Sequence, residues 1–452
     1  MNISVIGLGK LGSPMAAVLA DKGHSVVGVD VNEGFVKALQ EGRGPVRETG
    51  LDELVARNRS HLSATSEYAQ AVLATELTFV IVPTPSKADG TFSTEHVVAA
   101  CRPIGQALAR KAGFHVVVVT STVMPGSTGG PIREALETAS GKSCGRDFGL
   151  CYNPEFIALG SVIRDMLHPD FILIGESDPR SGDILASLYE KHWEPRPPVR
   201  RMSFVNAELA KIAVNTFVTT KITYANTLAR ICERLPGADA DVVTAALGLD
   251  TRIGPRYLKG ALGFGGPCFP RDNVAFNALA RESGVQALLA EATDAFNRKQ
   301  VGWLADQMLQ HLPPGGRVGI LGLAYKPETS VVEESQGLAF ARYFLEQGLS
   351  VAVYDPAAID NARPHLKGAV TFAASAEECA RQADLLLIAT AWEEFRRLSP
   401  RSLRASGRLP VVVDCWRILP EAVFAGRAEL IVLGRGPGLG VLTPVLAERS
   451  SW

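Results

Sequence analysis

No CxxC pair occurs anywhere in the 452 residues, and no Cys/His group has zinc-site spacing. The seven cysteines (Cys101, Cys144, Cys151, Cys232, Cys268, Cys379, Cys415) are odd in number and scattered. That usage argues against a disulfide framework or a structural metal and suits a reducing compartment. Long apolar runs are missing too: none reaches the ~18 residues a membrane helix needs. The opening MNISVIGLGK reads as a short strand running into glycines, not as a secretory leader. Nor does one sign of charge dominate. A net charge of −1 supplies no positive field to draw nucleic acid or a membrane surface. There is no short-period repeat and no low-complexity tract. What remains, 46% hydrophobic and 21% charged, is ordinary globular composition, at a length that predicts two or three domains. A cytoplasmic protein is expected, with no metal, no nucleic-acid partner and no membrane partner.

The first third alternates compact apolar runs with amphipathic stretches. Ile3–Gly7, Ser25–Asp30, Thr78–Val82 and Val116–Thr120 read as buried parallel strands, since each is short, β-branched and ends in small or polar residues. Helical patterns between them imply right-handed βαβ crossovers. Phe148–Tyr152 and Phe171–Gly175 extend the same sheet. From about Ser203 the stretch NAELAKIAVNTFVTTKITYANTLARICERL holds no Gly or Pro and keeps a helical period, predicting one long helix. Pro313–Gly316 is punctuation. The strand theme then returns at Arg317–Gly322, Ser350–Tyr354, Asp384–Thr390, Val411–Asp414 and Leu430–Leu433. The expected fold is α/β: two doubly wound Rossmann-like domains joined by a long central helix and a helical middle domain. The expected boundaries are 1–200, 201–312 and 313–452.

Gly7-Leu8-Gly9-Lys10-Leu11-Gly12 is a G-x-G-x-x-G that follows a strand and opens a helix. The first Gly permits the turn, the second admits a pyrophosphate and the third lets helix and strand pack. Asp30 closes the second strand, where a carboxylate takes ribose hydroxyls and repels a 2′-phosphate, so NAD is favoured over NADP. The later Gly319-Ile320-Leu321-Gly322 lacks this spacing and predicts a half-domain for another nucleotide ligand.

Gly263–Asp272 reads GFGGPCFPRD. Glycines before Cys268 allow a ligand close to the backbone; Arg271 sets a cation nearby, which favours a thiolate, and Asp272 a carboxylate able to orient or deprotonate a water. Taken alone, a lone cysteine is more often a small core residue. Lys211 and Asn215 are i and i+4 on the long helix and share a face; they suit either solvent or a reacting oxygen. Glu155, in Tyr152–Phe156, and Thr122, in Thr120–Val123, follow apolar strands, where ligands of open α/β sheets bind. A Thr there also serves as a helix cap.

These motifs, with VPTP (Val82–Pro85), STV (Ser121–Val123), NPEF (Asn153–Phe156), ELAKIAVNTF (Glu208–Phe217), RIG (Arg252–Gly254) and GLAYKP (Gly322–Pro327), resemble the UDP-glucose/GDP-mannose dehydrogenase family along nearly the whole chain. The resemblance implies an NAD-binding domain over 1–200, a dimerisation domain carrying the cysteine loop over 201–312, and a nucleotide-sugar-binding domain over 313–452. It implies a four-electron oxidation of a sugar C6 alcohol, most naturally that of UDP-glucose, through a thiohemiacetal and a thioester on Cys268. Lys211 and Asn215 would stabilise the oxyanion, Asp272 and Thr122 would hold water, and Glu155 would act as acid and base. Gly7, Gly9, Lys10, Leu11, Gly12, Asp30, Thr84, Thr122 and Arg271 would bind NAD. Glu155, Phe156, Lys211, Asn215, Tyr257, Gly265 and Lys326 would bind substrate, with Arg252 reaching it from the second subunit of a homodimer.

Four positions depart from the family pattern. Leu159 replaces a carboxylate, Glu333 stands where an arginine is common, Pro267 precedes the cysteine, and Trp416 occupies the arginine of Asp-Gly-Arg. These leave sugar and base open, so GDP-mannose and UDP-N-acetylhexosamines are alternative substrates. A 3-hydroxyacid dehydrogenase shares the first fold and long helix but needs no cysteine loop. A non-catalytic nucleotide-sugar binder would retain the fold without producing NADH.

Overall fold

Five of the eight strands of the first sheet are built mostly from Val, Ile, Leu or Phe. The chain, described by a computed structural model over residues 1–405 and 407–437, forms β1 (Asn2–Ile6), β2 (Ser25–Val29), β3 (Leu62–Thr65), β4 (Leu77–Val80), β5 (Val116–Val119), β6 (Gly149–Tyr152), β7 (Ile172–Glu176) and β8 (Val199–Met202). Their spatial order is β3-β2-β1-β4-β5-β6-β7-β8. β5 is Val-Val-Val-Val, fully buried; Val116 and Val118 join one core cluster and Val117 and Val119 another. A strand covered on both faces reads as a continuous apolar run for this reason. All neighbours pair parallel except β6 and β7, which are antiparallel, while β7 and β8 are parallel to each other. The last two strands therefore run against the rest. The sequence did not signal β3, β8 or this reversal.

β1 and β4 are adjacent in space although β2 and β3 lie between them in sequence, so the chain changes direction across the sheet there. Ligands of doubly wound sheets bind beyond the carboxyl ends of the strands at such a point.

The second sheet holds β9 (Arg317–Leu321), β10 (Ser350–Tyr354), β11 (Val370–Phe372), β12 (Leu385–Ile388), β13 (Val411–Asp414) and β14 (Glu429–Val432). The order is β11-β10-β9-β12-β13-β14, with parallel pairing throughout. It repeats the winding of the first sheet, with its own core around Val318, Ile320, Phe340 and Leu387. Residues 438–452 of the expected third domain lie outside the described residues.

The Gly- and Pro-free stretch forms one helix, Phe204–Cys232, of 29 residues. Two compact units emerge among the described residues: Met1–Val214 with Val274–Val285, and Asn215–Asn273 with the chain from Gln286 onward. Among the described residues no disulfide and no metal-ligating cluster occurs, and no helix is long and apolar enough to cross a membrane.

Candidate active site

In the first unit the glycine turn divides its labour by space. Gly7 has φ +97°, and a Cβ there would overlap the carbonyl oxygen of Ile81, just past β4. A Cβ on Gly12, which opens the helix Gly12–Asp21, would overlap the carbonyl oxygen of Gly7. Gly9 is different: a Cβ there meets no atom within 4 Å. Gly7 and Gly12 are thus required by the fold, whereas the bare backbone at Gly9 faces room for a ligand. The helix carries no acidic side chain in its first turn, so its positive N-terminal end is not neutralised and suits a pyrophosphate. Lys10 is exposed and Leu11 half-buried.

Asp30, just after β2, accepts the backbone N–H of Leu8 (2.6 Å) and that of Asn32 (2.7 Å) on separate oxygens. That fixes the carboxylate beside the glycine turn. Each oxygen retains a lone pair for a hydroxyl donor. Turn, helix end and carboxylate together fit NAD.

Beyond β4, β5 and β6 lie the other residues of this unit. Ser121 stitches two strand ends, accepting from Val82 N–H (2.9 Å) and donating to Val82 C=O (2.7 Å). Buried Thr84 donates its hydroxyl to the carbonyl of Thr122 (2.8 Å). After β6, Asn153 donates to the Leu173 carbonyl (2.9 Å) and accepts from the Tyr189 hydroxyl (2.6 Å), which pins the turn ahead of Glu155. Lys211, only 7% exposed, donates to the Glu155 carbonyl (2.7 Å) and lies 4.6 Å over the Phe156 ring. Phe156 in turn packs on Phe171 at 4.8 Å. Burial pushes the Glu155 carboxyl up to about 7, while the Lys211 cation pulls the other way. A carboxyl near neutrality can both give and take a proton. Burial, with the Glu155 charge nearby, also raises the Tyr189 phenol well above its ordinary value.

Three residues before Lys211, Glu208 is fully buried and accepts the N–H of Gly126 (2.6 Å) and of Thr128 (2.8 Å). Burial raises its carboxyl despite these bonds. Sequence reading passed over Glu208, although a carboxylate within an apolar helical stretch was a signal. Tyr189 gave none.

In the second unit Cys268 is exposed and immediately precedes the helix Phe269–Glu282; its carbonyl accepts the N–H of Asp272 (2.8 Å). The sulfur-bearing residue thus caps a helix whose N-terminal end stabilises negative charge. Pro270 sits in the first turn, where no N–H is needed. Gly266 has φ +84°, and a Cβ there would come 2.6 Å from the Tyr325 ring. Pro267 follows in the turn; nothing in the structure explains its preference over other residues. Asp272, 1% exposed, accepts from the Asn215 amide (2.6 Å) and lies 3.6 Å from Arg271 Nε. Lys211 and Asn215 occupy successive turns of the long helix, as the spacing predicted.

The remaining candidates of this unit are dispersed along its loops. Tyr257 has φ +63° and lies edge-on to Phe269 at 6.3 Å. Gly265 sits under the Glu334 carbonyl, where a Cβ would overlap it. Lys326 is half-buried beyond β9. Arg252 is exposed and paired with Asp250 of its own loop, Nη2 to Oδ2 at 2.6 Å.

The C-terminal sheet shows why its turn differs from the first. Asp355, at the position after β10 that Asp30 holds after β2, accepts backbone N–H from Leu323, Ala324, Ala357 and Ala358 at 2.7–2.9 Å. The Trp392 indole adds a bond at 3.2 Å. With five donors and 2% exposure, that carboxylate is committed to the fold.

Of the departures, Leu159 packs against the core of the first unit. The Glu333 carbonyl accepts the Gly266 N–H (3.0 Å), a role that its side chain does not dictate. Trp416 donates its indole N–H to Ala389 C=O (2.9 Å), and its carbonyl receives Lys259 Nζ (3.0 Å).

Comparison with known proteins now adds to this geometry. The chain matches the model for the UDP-glucose/GDP-mannose dehydrogenase family in three parts: the NAD binding domain over residues 1–193, the central domain over 205–299 and the UDP binding domain over 319–421. It is 38% identical to the UDP-glucose 6-dehydrogenase AglM of Haloferax volcanii, covering 93% of this chain and 97% of that one. It is 33% identical to the GDP-mannose 6-dehydrogenase of Azotobacter vinelandii, covering 95% and 99%. The solved UDP-glucose dehydrogenase of the hyperthermophilic archaeon Pyrobaculum islandicum superposes with a TM-score of 0.84 at 38% identity, covering 95% and 96%.

Proposed function

The chain belongs to the UDP-glucose/GDP-mannose dehydrogenase family, an NAD-dependent nucleotide-sugar 6-dehydrogenase, and from that premise we propose that it oxidises UDP-glucose to UDP-glucuronate through a thioester on Cys268. Bound NAD accepts a hydride in each of two oxidations, so one sugar yields two NADH. The chain supplies the rest. A base takes the C6 hydroxyl proton as the alcohol becomes an aldehyde. The Cys268 sulfur adds to that aldehyde carbon as a thiohemiacetal, which retains it for the second oxidation. Loss of the second hydride and a proton leaves a thioester. Water then cleaves the carbon–sulfur bond, giving the acid and restoring the thiol.

We assign Lys211 and Asn215 to the developing oxyanion, Asp272 and Thr122 to the water, and Glu155 to proton transfer. Gly7, Gly9, Lys10, Leu11, Gly12, Asp30, Thr84 and Arg271 are assigned to NAD, and Phe156, Tyr257, Gly265 and Lys326 to the nucleotide sugar. The domain division 1–200, 201–312 and 313–452 follows from these roles. The single observation that carries the reading is Cys268 exposed at a helix N-terminus, one turn from a buried Asp272 held by Asn215. UDP-glucose is favoured over GDP-mannose because a relative and a solved structure at 38% identity are named for UDP-glucose, against 33% for the GDP-mannose relative.

A homodimer with Arg252 contributed across the interface is part of the same proposal. Phe217, Tyr224 and Ile231 recur every seven residues on the long helix and are 63%, 54% and 50% exposed. Val242 and Leu249 on the following helix, Ala240–Leu249, are 70% and 85% exposed. Such an apolar stripe suits burial against a second copy. The reducing compartment its cysteines suit is the cytoplasm.

Incubation with NAD and a panel of UDP- and GDP-sugars, following NADH, tests the assignment. UDP-glucose should give the highest kcat/KM; preference for GDP-mannose would overturn the substrate, and nucleotide-sugar binding without NADH would mark a non-catalytic binder.

A further inference from the structure

The backbone leading into the cysteine loop belongs to no sheet, yet side-chain amides pair five of its polar groups. Ala261 N–H donates to Asn226 Oδ1 (2.9 Å), and Asn226 Nδ2 donates to Leu262 C=O (3.0 Å). Phe264 N–H donates to Asn297 Oδ1 (2.8 Å), and Asn297 Nδ2 returns a bond to Phe264 C=O (2.9 Å). Gln300 Nε2 supports Ala261 C=O at 3.2 Å. Asn226 lies on the long helix, Asn297 and Gln300 on Leu288–Leu309. Each asparagine presents an acceptor and a donor to the main chain, as a neighbouring strand would. Asn226 and Gln300 are each 2% exposed, so a severed bond would leave a buried group unsatisfied.

Gly263, between the two clamped points, has no room for a side chain. A Cβ there would overlap Asn297 Oδ1 and lie 2.7 Å from Gln336 Oε1. The segment Ala261–Phe264 is therefore held in one register by amides from two helices. Four residues after its end the chain reaches Cys268, through glycines that themselves lean on Glu333 and Tyr325.

We infer that Asn226 and Asn297 are positioning residues that lock the backbone of Ala261–Phe264 and thereby aim the Cys268 loop at the reacting carbon. This rests on the assignment of Cys268 as nucleophile. The paired geometry explains why amides, with both a donor and an acceptor, occupy these two positions. A carboxylate would accept the N–H but repel the carbonyl, and an aliphatic residue would do neither. A displacement of about 1 Å at a nucleophile can cost ~10²-fold in rate.

Gly263→Ala, Asn297→Ala and the double variant test this in the full-length enzyme, with UDP-glucose and NAD. kcat is normalised to the fraction of protein that binds NADH, so partial unfolding does not masquerade as lost catalysis. Each single change should lower kcat by ~10–100-fold, with the NADH dissociation constant unchanged within about threefold. Removing the Asn297 side chain relieves one of the two overlaps of the Gly263→Ala methyl and leaves that with Gln336 Oε1 at 2.7 Å, so the losses should combine to less than their product in the double variant. Single variants within threefold of native kcat, or losses that multiply in the double, would overturn the inference. Asn297→Asp, which keeps the acceptor and loses the donor, serves where Asn297→Ala does not fold, and should show the same loss. Cys268→Ala is measured in parallel. Full acid formation by that variant would remove the nucleophile assignment itself, whereas a dead Cys268→Ala beside native-like clamp variants would remove only the positioning role.

Discussion

Replacing Glu155 by Gln should change how stability depends on pH, in a direction set by the burial of its carboxyl. Burial raises the Glu155 carboxyl from an ordinary 4.5 to about 7, with the Lys211 cation offsetting part of the effect. The folded protein thus holds this proton more tightly than the unfolded chain does. Its contribution is complete below the unfolded value and is lost as pH rises through about 7. A shift of this size, at about 1.4 kcal/mol per pH unit, corresponds to about 3 kcal/mol against the native protein at pH 8 and about 1 kcal/mol at pH 5. The Glu155→Gln amide does not titrate, so its stability relative to native should improve by about 2 kcal/mol between those two pH values. For a unit of this size that is roughly 4–8 °C in Tm. Scanning calorimetry of both proteins across the range reads it directly. The Lys211 attraction acts only on the ionised carboxylate and is already part of the value of about 7; any change in amide packing adds a constant offset, so the change of the gap with pH is the signal. A gap that stays constant from pH 5 to 8 would refute the reasoning, because it would mean Glu155 ionises in the fold as it does in water.

Three further outcomes follow from the same geometry. Gly9→Ala should fold normally, since its methyl meets nothing within 4 Å, and should weaken NADH binding at least ~10-fold by fluorescence titration; Gly12→Ala, whose methyl overlaps the Gly7 carbonyl, should instead lower Tm. Asp30→Ala should weaken NAD and narrow its advantage over NADP, read as the ratio of kcat/KM for the two cofactors, because the carboxylate that repels a 2′-phosphate is gone. Lys211→Ala should lower kcat by ~10²–10³-fold with NADH affinity unchanged, as expected for losing one oxyanion donor.

The fold was legible where burial dictates composition. β5 is four valines because both faces are covered, and the long helix is visible as a stretch without Gly or Pro. β8, Val-Arg-Arg-Met at the sheet edge, is half exposed and carries no apolar run to reveal it. The reversal of β7 was hidden too, since strand direction is set by connections and not by residue type. At the proposed site the candidate motifs were legible as patterns, since Gly7–Gly12, Asn153–Glu155 and Cys268–Asp272 each place particular atoms close together in the chain. The partners that hold them were not. Asn226 grips Ala261 from 35 residues away and Asn297 grips Phe264 from 33, distances at which nothing in either sequence neighbourhood reports the other. Asp355 and Asp30 occupy equivalent sheet positions, but only the structure shows that Asp355 is fully occupied by backbone donors.

The central claim is that Cys268 retains the aldehyde between two oxidations. It is tested most directly by counting NADH formed per UDP-glucose consumed, with product identification, for the native enzyme and for Cys268→Ala. The account predicts two NADH and the C6 acid from the native enzyme, and no acid from the variant. Two NADH per sugar and full acid formation by Cys268→Ala would contradict it.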